Sequence, residues 1–182
     1  LQYTYHNAKN AETFGIELDV KKSLDFIGLR GLSLVCNAAY IHSRVRFEEG
    51  APERDRPLAG QSPYLVNAGL FYQHDDKGIS ASLLYNRIGK RIESVGVPMQ
   101  NQNEDIPDIY EMPRNSLDLT FSKKIGKVVE IKAGIQDMLN SKIEYKQFVK
   151  LADENGGKRE REQLVRSYRP GVDINVGVSL KF

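Results

Sequence analysis

The sequence predicts an all-β protein, an antiparallel up-and-down meander of long amphipathic strands. Three observations carry this. The closing stretch alternates strictly, with Val172, Ile174, Val176, Val178, Leu180 and Phe182 on one parity and Gly171, Asp173, Asn175, Gly177, Ser179 and Lys181 on the other. A helix would scatter the six apolar residues around its circumference, whereas a strand collects them on one face. The same alternation recurs along the chain, as in Phe14, Ile16, Leu18, Val20 against Gly15, Glu17, Asp19, Lys21, and in Val129, Ile131, Ala133, Ile135 against Glu130, Lys132, Gly134, Gln136. Between the alternating segments stand turn-forming sequences such as Asp75 to Gly78 and Lys124 to Lys127, which suit tight hairpins.

Nine strands follow in order, at 1–7, 11–24, 29–46, 62–75, 78–93, 113–124, 127–137, 143–152 and 164–182. The connections 47–61 and 94–112 are longer, polar and proline-bearing, and the run from Asp153 to Gln163 mixes charges with glycines as a surface loop would. Soluble strands cluster near five or six residues, whereas strands that cross a bilayer in a barrel need roughly 9 to 11. Most of these segments reach that length, and their polar faces carry Asp, Glu, Lys, Asn and Gln at mid-strand, which suits a wet lumen. Periodicity favours an outer-membrane barrel, with a soluble β-sandwich as the main alternative. Tyrosines at strand flanks fit either an aromatic girdle at headgroup level or ordinary β propensity.

Composition excludes several classes. No window approaches the roughly 18 to 20 apolar residues of a transmembrane helix. The 26 basic and 24 acidic residues are interspersed and leave a formal charge of +2, so no strong field points to nucleic acid. The single cysteine, Cys36, rules out an intrachain disulfide and sits among small and apolar residues, where an inert thiol is expected. His6, His42 and His74 have no ligand neighbours at zinc spacing, and no nucleophile elbow, phosphate loop or dinucleotide fingerprint is present. Two acidic clusters, Glu48, Glu49, Glu53, Asp55 and Glu104, Asp105, Asp108, Glu111, lack calcium-loop spacing and read as solvated connections. The expectation is a non-enzyme with no cofactor and no metal. Leu1 begins within an alternating stretch, without initiator Met or signal peptide, so the chain is expected to be a mature piece or fragment.

The stretch from Arg114 to Phe148, a polar loop, and then Tyr168 to Phe182 resemble the C-terminal end of TonB-dependent outer-membrane receptors. The family's x-V-x-N-L-F-x-x-x-Y stretch appears as Gly134 to Asn140 followed by Tyr145, with Asp137 where the family has Asn and Met138-Leu139 where it has Leu-Phe. Pro57 to Gln73 is similar to the family's stretch in which a proline precedes a strand ending in an aromatic. A terminal aromatic after alternating apolar residues matches the signal recognised by the barrel assembly machinery.

The resemblance covers about 11–182 and implies that 1–182 is the C-terminal segment, about nine strands, of a 22-stranded transmembrane β-barrel in the bacterial outer membrane, with the plug domain outside this chain. Val172, Ile174, Val176, Val178, Leu180 and Phe182 would face lipid and carry the assembly signal. The implied function is uptake of a scarce solute, a metal chelate, glycan or similar nutrient, with energy from the TonB complex reached through the absent N-terminal part. A small porin-like or structural barrel and a soluble binding sandwich are the competing classes. Counting back from a periplasmic Phe182, Asp137 to Lys142, 47–61 and 94–112 are expected to be periplasmic, and 24–28, 75–78, 124–127 and 152–163 extracellular.

Overall fold

The computed structural model describes residues 7–98, 105–152 and 158–180. It is all antiparallel β apart from a 3-10 turn at Asp25–Ile27. Eleven ladder segments run in order as β1 (Asn10–Ser23), β2 (Leu32–Arg46), β3 (Tyr64–His74), β4 (Ile79–Ile88), β5 (Arg91–Ser94), β6 (Ile109–Glu111), β7 (Arg114–Ile125), β8 (Val129–Gln136), β9 (Ile143–Ala152), β10 (Lys158–Tyr168) and β11 (Asp173–Leu180). They form a seven-stranded sheet, β1-β2-β3-β4-β7-β8-β11, and a four-stranded sheet, β10-β9-β6-β5.

The registers show that the smaller sheet prolongs the larger one. Ile88 opposes Arg114 and Arg91 opposes Glu111, so β4–β5 and β7–β6 are one hairpin whose ladder breaks at Gly89-Lys90 and Met112-Pro113 and is irregular again between Ile92 and Ser94. Pro113 has no N–H to give a ladder. β8 and β9 both run antiparallel to this same β6–β7 strand, and β11 and β10 in turn follow β8 and β9. Over the described residues the chain is therefore a meander of seven long strands, β1, β2, β3, β4–β5, β6–β7, β8–β9 and β10–β11.

Three expectations are corrected here. The predicted strands 127–137 and 143–152 are the two halves of one strand, and the predicted turn at Asp137 to Lys142 is a bulge within it. From Ile135 to Tyr145 this strand takes ten steps while β7–β6 takes eight, from Leu119 to Glu111. From Gln136 to Ile143 it takes seven while β10–β11 takes five, from Asp173 back to Tyr168. Both neighbours thus see two extra residues, accommodated by positive φ at Asp137 (51°) and Asn140 (43°). The predicted strand 164–182 is likewise bent at Arg169–Val172, and residues 158–163, expected in a loop, are strand. The expected strand 1–7 falls on residues outside those described, save Asn7, which is not in a strand.

Removing one reversal changes which connections share an end of the sheet. The short turns 24–31, 75–78 and 126–128 lie at the end where β11 finishes, whereas β2 and β3, β5 and β6, and β9 and β10 meet their connections at the other end. The expected grouping of 152–163 with the short turns is therefore overturned.

Cross-strand partners share a face, and the pairing traces two faces across all seven strands. One row runs Leu18, Ala38, Val66, and others run Leu34, Leu70, Leu83, Leu119, Ile135, Ile174 and Tyr72, Ala81, Phe121, Ala133, Val176. The opposite face carries Asp19, Asn37, Asn67, Asn86, Ser116 and Ser82, Thr120, Gly134, Asn175. Among the described residues nothing covers the apolar face. Ile16, Val176 and Ile174 are 76%, 72% and 70% exposed, and the buried apolar side chains are only Ala39, Val45, Ile92 and Tyr145. On β2 the apolar band runs from Leu32 to Tyr40, and on β3 it is bracketed by Tyr64 and Tyr72. Each of these nine-residue spans reaches about 26 Å along the strand, at roughly 3.3 Å per residue. The sheet is open, with β1 and β10–β11 as unpaired edges among the described residues.

Candidate functional site at the long-loop end of the sheet

Beyond the apolar band, β4–β5, β6–β7, β8–β9 and β10–β11 project as a four-stranded wall whose side chains are charged and aromatic. The loop 47–63 returns along β2 and closes onto this wall. Val45 and Arg56 exchange backbone hydrogen bonds of 2.8 and 3.2 Å, Leu58 N–H donates to Ser43 Oγ at 3.1 Å, and Gly60 N–H donates to Ile92 O at 2.8 Å. Ile92, 2% exposed, and Val45, 5% exposed, are thereby shut off from water. Arg44 pairs with Asp55 at 2.9 Å, and Phe47 N–H donates to the same carboxylate. That guanidinium and that amide hold the Asp55 carboxyl below its ordinary range.

The loop 95–108 is built similarly. Val97 and Ile106 exchange bonds of 2.9 and 3.0 Å, Gly96 N–H donates to Asp108 Oδ1 at 2.7 Å, and Gln147 Nε2 donates to Pro107 O at 3.0 Å. Gly96 has room for no side chain, since an added Cβ would stand 2.0 Å from Ile106 O. An ion pair between Arg54 and Asp105 ties the two loops together. The acidic residues grouped by sequence are thus separate structural anchors. Glu48 meets Lys9, Asp55 meets Arg44 and Glu111 meets Arg91, while Glu104 lies outside the described residues. No group of three or more ligating side chains occurs among the described residues.

The polar side of the wall holds Lys90 between two rings, 4.2 Å from the Tyr110 centroid and 3.9 Å from that of Phe148, which meet edge to face at 5.7 Å. Lys146 sits between Glu162 at 2.6 Å and Glu144 at 3.3 Å, which raise its pKa, the Glu162 contact most. On the other side Arg166 stacks 4.0 Å over Tyr145, whose hydroxyl pKa is raised by burial and then by Glu111. The arrangement is one of aromatic rings and paired charges held on a sheet.

Nearer the centre of the polar face, amides form a ladder in register across four strands. Asn86 donates to Asn67 at 2.5 Å, Asn67 to Asn37 at 3.3 Å, and Asn37 to Asp19 at 2.8 Å. Beside it lies a shallow depression of about 310 Å³ bordered by Val35, Phe71, Leu84 and Asp118. Its floor is Gly69, where an added Cβ would come within 2.7 Å of the Phe71 ring.

The bulge is fastened from both sides. Asp137 N–H donates to Asp118 Oδ1 at 2.8 Å, Met138 N–H to Leu117 O at 2.8 Å, and Gly171 N–H to Asn140 Oδ1 at 3.1 Å, while Arg114 pairs with Asp137. Of the residues singled out from sequence, Ile174, Val176, Val178 and Leu180 lie exposed on the apolar face of the last strand, and Val172 is exposed in the bend that precedes it. Phe182 lies outside the described residues. Cys36 belongs to the same apolar face, opposite Ala68 and Val20. The amide ladder and the Lys90 stack escaped sequence reading. Their parity was visible, but the pairing that aligns them depends on register.

No protein-family profile matches the chain, and no solved structure is significantly similar to it. Among curated proteins it is 26% identical over 152 residues to transferrin-binding protein A of Haemophilus influenzae. That alignment takes in 76% of this chain and 16% of the relative's length.

Proposed function

We propose that this chain is a wall segment of a transmembrane β-barrel in a bacterial outer membrane, belonging to a receptor that takes up a scarce solute with TonB-derived energy. The observation that carries the reading is the apolar face, continuous over seven strands and uncovered, set against a hydrogen-bonded polar face. In water an apolar surface of this extent is unfavourable at about 25 cal/mol per Å², whereas in a bilayer it is the face that contacts lipid. Barrels of this kind carry short turns on the periplasmic side and longer loops outside. On that pattern the turns 24–31, 75–78 and 126–128 are periplasmic, and 47–63, 95–108 and the β9–β10 connection face the exterior. The projecting wall with its Lys90, Tyr110 and Phe148 stack is then the part that meets a ligand.

The similarity to a transferrin-binding protein supports a receptor whose solute is a metal held by a carrier protein, and the closing strand would be the part read by the barrel assembly machinery. No residue of this chain is assigned to energy coupling. The reading is tested by growth under nutrient limitation on a panel of metal–carrier complexes and glycans, comparing a parent strain with one lacking the gene. One compound should support growth only in the parent, and only while the inner-membrane proton gradient is intact. Indistinguishable growth on every compound would refute the uptake role.

A further inference from the structure

The apolar band ends at the long-loop side on an arginine that, among the described residues, no carboxylate neutralises. Along β4 the apolar face reads Ile79, Ala81, Leu83, Tyr85 and then Arg87, which opposes Val66 on one neighbour and Asn115 on the other. Its guanidinium is aimed by neutral oxygens. Nε donates to Tyr64 OH at 3.3 Å and Nη1 to Asn115 Oδ1 at 2.7 Å, and Tyr85 OH donates to the same Oδ1 at 2.8 Å. The Tyr64 ring is itself held over Gly89, where an added Cβ would stand 2.7 Å from it, and Gly89 N–H donates to Tyr64 O at 3.1 Å.

Arginines just beyond this level are partnered: Arg44 with Asp55, Arg46 with Glu12, Arg91 with Glu111, and Arg166 with Glu93. Arg87 has no such carboxylate among the described residues. Two of its five N–H donors are committed, to Tyr64 and Asn115, and the delocalised guanidinium keeps its full positive charge at the edge of an apolar surface. An unpaired charge there is costly unless an anion meets it. The group that lies at this depth beside a lipid-facing wall is a headgroup phosphate, and a fixed guanidinium matches its oxygens in two-point geometry.

We propose that Arg87, positioned by Tyr64 and Asn115, is a binding site for the phosphate of an anionic lipid headgroup in the surrounding leaflet. The site rests on the membrane reading above. Its test uses the full-length protein of which this chain is a wall segment, assembled in phosphatidylcholine bilayers containing phosphatidylglycerol, with spin-labelled forms of each lipid reporting which is held at the protein surface. The wild-type chain should prefer spin-labelled phosphatidylglycerol several-fold over phosphatidylcholine. Arg87→Gln should lose most of that preference, Arg87→Lys should keep part of it, and Arg91→Gln, whose charge is already paired, should keep all of it. Tyr64→Phe, which removes only the aiming hydroxyl, gives an intermediate loss and serves if Arg87→Gln does not assemble. Equal preference in wild type, Arg87→Gln and Tyr64→Phe, all membrane-embedded, would overturn the headgroup site and leave the membrane reading standing. A wild-type chain that holds no lipid of either kind would overturn both.

Discussion

Arginine at Val176 separates lipid from water as the partner of the apolar face. Val176 is one of the two inner positions among the four apolar residues of the last strand and is 72% exposed, opposite Ala133. In water, a substitution at so open a position falls within about 0.5 kcal/mol of neutral. At the midplane of a bilayer the same arginine costs about 2–4 kcal/mol, which is roughly a 30-fold to several-hundred-fold loss in the folded population at 1.4 kcal/mol per decade. Asn175, one residue earlier, lies on the polar face with its side chain across Gly134, so Asn175→Arg should be mild. The assay is denaturant-dependent assembly into lipid vesicles, followed by gel mobility with and without heating. Val176→Arg should shift the midpoint by the stated amount and Asn175→Arg should barely move it. Equal shifts for the two variants would refute the assignment of faces.

Other outcomes follow from the same geometry. Removing Arg114 leaves the Asp137 carboxylate, 13% exposed, without its cation. Arg114→Ala should therefore cost about 1–3 kcal/mol, and a double-mutant cycle with Asp137→Ala should show coupling. Gly31→Ala should be far worse than Gly126→Ala, because at Gly31 a Cβ would stand 2.2 Å from Gln73 O with φ at +75°, whereas at Gly126 the positive φ is the sole penalty. Truncating Asn67 to Ala breaks the amide ladder at two links and should cost about 1 kcal/mol per link, read as a shift in the same vesicle assay. Asp55 has its carboxyl pKa depressed, chiefly by Arg44 and then by Phe47 N–H. Its contribution is therefore complete above the unfolded value near 3.9 and is lost as pH falls through the lower folded value. Amide exchange at Phe47 should accelerate only in that acid window, and Asp55→Asn should abolish the pH dependence.

Parity was legible in the sequence and register was not. The alternation of Leu117, Leu119, Phe121 or of Ile174, Val176, Val178 fixes which side chains share a face, because the strand period is two wherever the strand begins. Strand number failed at Asp137 to Lys142 for a local reason. Asp and Asn at positive φ form the same signal as a hairpin turn, and only long-range partners distinguish the two outcomes. Here Asp137 N–H and Met138 N–H remain tied to Asp118 and Leu117 of β7, so the chain cannot reverse and instead bulges. One miscounted reversal then inverted, relative to the closing strand, the end assigned to every connection before it, so that 47–61 and 94–112 share an end with the β9–β10 connection and 24–28, 75–78 and 124–127 do not. The candidate site suffered in the same way. Lys90, Tyr110 and Phe148 come from three strands separated by long stretches of chain, and no local pattern announces that they meet. Paired acids such as Glu111 and Asp55 looked like solvated clusters because their cations lie elsewhere in sequence.

The central claim is that one face of this sheet touches lipid and the other touches water. It is tested most directly by placing a nitroxide at each position from Asp173 to Leu180, in a Cys36→Ser background in vesicles, and measuring collisions with oxygen and with a water-soluble nickel chelate. Ile174, Val176, Val178 and Leu180 should be oxygen-accessible and Asp173, Asn175, Gly177 and Ser179 chelate-accessible, two period-two oscillations out of phase. Accessibility to the two probes that rises and falls together, or that shows no period of two, would contradict the account.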